Sequence, residues 1–116
     1  INGSEPLSKG KLAVRIVKEY IAKYPSLTFG EIKQIFPDEL IPSAYRSKGL
    51  IVSVEDLGNS TLAPIYRNKR YYFNTKEFWL KSSDGICFVV NNQWDINSIN
   101  NIIRVGREAG FDITPK

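Results

Sequence analysis

The 116-residue chain contains no histidine and no methionine, and only one cysteine, Cys87. Without imidazole there is no Ser-His-Asp or Cys-His catalysis and no histidine metal ligand. One thiol builds neither a cysteine zinc site nor an intrachain disulfide. The eight glycines include no GxGxxG and no GxxxxGK[ST], so phosphate-cradling loops of those kinds are missing too. The sequence therefore predicts no metal, no cofactor and no catalytic residue. No stretch approaches the ~18–20 apolar residues of a membrane span, and no apolar leader core opens the chain. A cytoplasmic location away from membranes is expected. The first residue is Ile1 rather than Met, which reads as a piece excised from a longer protein.

What is present suits one modest domain. Hydrophobic residues make up 42% and charged residues 24%, which argues against disorder. Residues 1–7 read as a tether and 8–116 as a single domain. Ser8 is placed to cap a first helix, whose Leu12, Ile16, Val17, Tyr20, Ile21 and Tyr24 form an apolar stripe ended by Pro25. Lys9, Lys11, Arg15, Lys18 and Lys23 sit mostly off that stripe, opposed only by Glu19, and read as a solvated face. Thr28-Phe-Gly-Glu31 fits a capping box, so a second helix follows at once and stops at Pro37. Ser43 is placed to cap a short third helix ending at Gly49.

Leu50–Val54 reads as a strand, and residues 55–69 as a long polar loop. Three further β segments are expected at 70–73, 77–81 and 86–90, with Asp84-Gly85 as the hairpin turn between the last two. The apolar run Ile86–Val90 suits a strand covered on both faces, with Cys87 inside it as a small buried hydrophobe. Asp95 would cap a last helix with Ile96, Ile99, Ile102, Ile103 and Val105 as its apolar stripe. Gly110-Phe111 reads as its Schellman stop. Ile113 either adds a short strand or packs at the end. The fold class is α+β: an N-terminal helical hairpin packed with an antiparallel sheet of three to four strands and a C-terminal helix.

Charge supplies the one positive functional signal. The total is +4, yet residues 43–54 and 67–76 hold six of the 16 Lys and Arg residues and no acid. Arg46, Lys48, Arg67, Lys69 and Arg70 are the candidates to pair with phosphates, and Tyr45 and Tyr71 to stack or to offer a hydroxyl. The plain alternative is a strand edge guarded by cations over core-filling aromatics. The run Asn91-Asn-Gln-Trp94 suits either a recognition site or a strand-to-helix turn whose backbone the amides satisfy. Trp79 and Trp94 are the candidate anchors for a protein partner or a second copy.

Three resemblances follow from these residues. Glu31-Ile-Lys33 and Pro37-Asp38 are similar to the halves of a common nuclease core, but in the reverse order and with Glu31 used as a cap. The order of helix, turn, capped helix, short helix, strand and basic loop resembles a winged-helix domain. That resemblance implies that 43–49 takes the recognition-helix position and 55–70 the wing. The stretch Asp84–Trp94, with Asn97–Ile103 and Gly110-Phe111, resembles a module appended to bacterial proteins, some restriction- or DNA-associated. The last two imply an accessory module of a larger bacterial protein that contacts DNA, and the missing histidine with the scattered carboxylates makes a non-catalytic role the expectation. The alternative is a module for protein interaction or oligomerisation.

Overall fold

Two helices at opposite ends of the sequence and a three-stranded sheet between them organise the computed structural model. It describes residues 9–41, 50–59, 65, 69, 71, 76–92, 94 and 96–111. The elements are α1 (Lys9–Lys23), α2 (Phe29–Ile35), a 3₁₀ turn (Asp38–Leu40), β1 (Ile51–Ser53), α3 (Val54–Gly58), a second 3₁₀ turn (Lys76–Phe78), β2 (Leu80–Lys81), β3 (Cys87–Val90) and α4 (Ile96–Glu108). This is an α+β arrangement with an antiparallel sheet of order β1-β3-β2. The expected tether, the caps Ser8 and Asp95, the 43–49 helix and Ile113 lie outside the described residues.

The apolar stripe of α1 is buried through Leu12, Ala13, Val14, Ile16 and Val17, while Lys9, Lys11, Arg15, Lys18 and Lys23 lie on the exposed side. Pro25 cannot continue the helix, and the chain turns through Tyr24–Leu27 into Thr28. There the capping box forms in full: Glu31 N–H donates to Thr28 Oγ1 at 3.3 Å and Thr28 N–H to Glu31 Oε1 at 3.0 Å. At the other end of the chain α4 closes on Gly110, whose φ is 95°. Phe111 N–H donates to the Gly106 carbonyl and Gly110 N–H to the Arg107 carbonyl. These are the two bonds of a Schellman motif.

Alternation along β1 and β3 divides the core into two layers. Ile51, Leu80, Phe88 and Val90 belong to the main cluster with α1, Ile32, Phe36, Trp94 and the α4 residues Ile99, Ile102 and Ile103. Val52 pairs with Val89 on the opposite face and meets Leu57 and Tyr71, with Val54 and Trp79 against them. The central strand is thus covered on both sides, as its apolar run predicts.

Several expectations are corrected. The expected loop from residue 55 begins as a helix, because Ser53 Oγ accepts from Asp56 N–H at 3.1 Å and caps α3. Ile65, Lys69 and Tyr71 have helical backbone, so Tyr71 is not in a strand. Residues 76–78 form a 3₁₀ turn, leaving only Leu80–Lys81 of the expected 77–81 strand. Cys87 is exposed rather than buried. It opens β3 opposite Lys81, at the end of the sheet that the second layer does not reach. Asn101 on α4 ties that helix to the first 3₁₀ turn, since its Nδ2 donates to the Leu40 carbonyl at 3.0 Å.

Candidate functional site

The residues that the sequence assigned to DNA separate into three groups. Tyr45, Arg46, Lys48, Arg67 and Arg70 lie outside the described residues. Lys69 is exposed. Tyr71 is fully buried in the second core layer, which removes its ring from any free surface. Of the two candidate anchors, Trp94 is 8% exposed and its indole N–H donates to the Asn91 carbonyl, so it serves the strand-to-helix turn rather than a partner. Trp79 is half-buried, with Lys76 Nζ 5.7 Å from its ring centroid.

The nuclease-like residues are likewise occupied. Glu31 closes the capping box, and Asp38 Oδ1 accepts from Leu50 N–H at 2.9 Å. No group of three His, Cys, Asp or Glu residues suited to a metal occurs among the described residues. No described helix is long and apolar enough to cross a membrane.

Trp79 instead belongs to a groove of about 350 Å³ that no sequence pattern announces. One wall is the exposed end of α1 and the turn after it: Lys18, Ile21, Tyr24 and Leu27. The other is Trp79, Leu80, Lys81, Ser82 and Ser83. The walls are tied by hydrogen bonds between two turns. Ser83 N–H donates to the Leu27 carbonyl at 2.9 Å, and Ser83 Oγ donates to the Ser26 carbonyl at 2.9 Å. Phe29 N–H donates to Asp84 Oδ1 at 3.1 Å. Asp84 also accepts from Ser82 Oγ, and these donors, the Ser82 hydroxyl first, hold its carboxyl below the ordinary value.

The groove is electrostatically one-sided. Lys18 and Lys81 line it and are exposed, and no Asp or Glu among the described residues lines it. Tyr24 is 40% exposed, one of the few large apolar side chains in the described residues left so open. The Tyr20 ring lies tilted against it at 5.1 Å between centroids, and burial of Tyr20, with Tyr24 beside it, raises the Tyr20 pKa. Lys23 Nζ lies 5.6 Å from the Tyr24 centroid and donates to the Ala109 carbonyl at the end of α4. These neighbours restrict the Tyr24 ring and so lower the rotamer entropy it would lose on binding.

A second groove, of about 410 Å³, lies between Phe29, Lys33, Val52, Ser53, Asp56 and Asn59. It sets Asp56 against Lys33, so its charge is balanced, and Lys33 Nζ rests 5.8 Å from the Phe29 ring.

Comparison with known proteins finds no family model, no curated protein and no solved structure that matches this chain.

Proposed function

We propose that this domain is a non-catalytic accessory module, carried by a larger cytoplasmic bacterial protein, that contacts DNA. The observation that carries the reading is the groove between α1 and β2. Two exposed lysines and two aromatic residues, Tyr24 and Trp79, line it, and no Asp or Glu among the described residues does. A polyanion with flat apolar bases complements such a surface: lysines neutralise phosphates, and rings meet bases or sugars. The acid-free segments at 43–54 and 67–76 supply further cations to the same chain. The absence of histidine and of any carboxylate pair placed for acid–base work supports the non-catalytic part.

Protein interaction is the weaker reading, because one of its two anchors, Trp94, is packed in the core.

The test is a fluorescence titration of labelled DNA at several salt concentrations. Affinity falls steeply as salt rises, because bound phosphates release counterions. Lys18→Glu with Lys81→Glu weakens binding to all sequences alike, and so does Arg67→Ala with Arg70→Ala. Undetectable binding at low salt overturns the proposal.

A further inference from the structure

We infer that the groove between Tyr24 and Trp79 takes single-stranded nucleic acid in preference to intact duplex. The inference rests on the DNA-contact reading and narrows it to one form of the ligand.

Three features point there. First, much of the lining is apolar, with Ile21, Leu27 and Leu80 in it, and it includes an aromatic residue from each side, Tyr24 and Trp79. A duplex turns phosphates and sugars outward and keeps its base faces stacked on one another, so it has nothing to lay on such a lining. An unpaired base has a free face, and stacking on Tyr or Trp is available to any base. Second, each wall supplies a cation, Lys18 from α1 and Lys81 from β2. One backbone running along the groove passes both, whereas the two backbones of a duplex are too far apart to enter together. Third, the size is right for a base rather than a helix. About 350 Å³ falls at the small end of pockets that hold compact organic ligands, commonly about 300–1,000 Å³.

Both rings are also set in advance. Tyr24 lies between the Tyr20 ring and Lys23, and Trp79 lies beside Lys76 and against the second core layer. Ser82 and Ser83, which complete the wall, spend their hydroxyls on Asp84 and on the Ser26 carbonyl. The remaining recognition therefore comes from stacking and charge, which implies weak preference among base sequences.

Three fluorescein-labelled probes of one length test this by anisotropy: oligothymidylate, its duplex with oligoadenylate, and an abasic strand with the same phosphates. The expected result is that oligothymidylate binds about tenfold or more tightly than either of the others. Tyr24→Ala removes most of that advantage and leaves abasic binding nearly unchanged. Tyr24 is exposed enough for the variant to fold, and its circular dichroism should match that of the parent. Lys18→Glu weakens all three probes, and Lys33→Glu, in the other groove, changes none of them strongly. Duplex binding equal to or tighter than single-strand binding overturns the inference and leaves the DNA-contact reading standing. So does an abasic strand that binds as well as oligothymidylate. No binding of any probe at low salt overturns both. Polyglutamate that displaces oligothymidylate at equal charge also overturns both, and assigns the groove to acidic peptide.

Discussion

The amide of Phe29 donates to the carboxylate of Asp84, 55 residues later in the chain, at 3.1 Å. This bond joins the first turn of α2 to the turn between β2 and β3. With the two Ser83 bonds beside it, it holds Tyr24 and Leu27 against Leu80 and Lys81. The groove exists because two turns are stitched together.

Asp84→Ala should therefore lower the urea midpoint and weaken any ligand of the groove, although residue 84 does not line it. The pH dependence has a definite sign. The folded pKa lies below the ordinary 3.8, so the Asp84 contribution is present above that value and is lost as pH falls through the lower, folded one. Urea midpoints of the parent should drop across this acid window, and those of Asp84→Asn should drop less.

Thr28→Ala removes the hydroxyl that accepts from Glu31 N–H and breaks the capping box of α2. The expected cost is about 1 kcal/mol. Chemical denaturation with an unchanged slope would confirm a local cap defect rather than a change in the unfolded chain.

Leu57→Ala should cost about 2–5 kcal/mol, the range for a leucine deleted from a closed core. Leu57 is fully buried, with Val52, Tyr71 and Val89 in its cluster. A loss below about 0.5 kcal/mol, typical of surface sites, would contradict the second layer on that face of the sheet.

The tryptophans and the thiol report on burial directly. In Trp79→Phe the remaining Trp94 emission should be blue-shifted and resist acrylamide, since only 8% of that residue is exposed. Cys87 should react with a thiol reagent in the folded protein without denaturant, and Cys87→Ser should alter stability by less than about 0.5 kcal/mol.

The sequence makes legible what depends on neighbours in the chain. Thr28 with Glu31, Gly85 at φ 83° in the hairpin turn, and Gly110 after α4 each carry a local backbone demand, and each sits where the pattern places it. The apolar run to Val90 shows the doubly covered strand. The misreadings have two causes. Ser53 ends β1 as the sequence predicts, but it also caps a helix where a loop is expected. Cys87 alternates in phase with buried Val89, yet the layer over Val52 and Val89 stops short of it. Tyr71 sits among cations but is itself core. The Ser53 cap is local but masked by its β-branched setting, whereas for Cys87 and Tyr71 the deciding neighbours are remote in sequence. The groove is the extreme instance, since Lys18–Leu27 and Trp79–Ser83 meet only through the two stitched turns.

The packing of α1 against α4 also constrains how the chain comes into being. The stripe of α1 is among the first segments made, and the helix that covers it is the last described one; Lys23 finds the Ala109 carbonyl only across 86 residues. β1 likewise waits for β3. During synthesis the part of the α1 face that α4 covers therefore stays open until α4 has been made, although Ile32 and Phe36 of the following segment already lie against the same cluster. Folding should then be completed in one late step, with β2–β3 as the one local pairing in the sheet, and a chain cut before Ile96 should be open to proteases and chaperones.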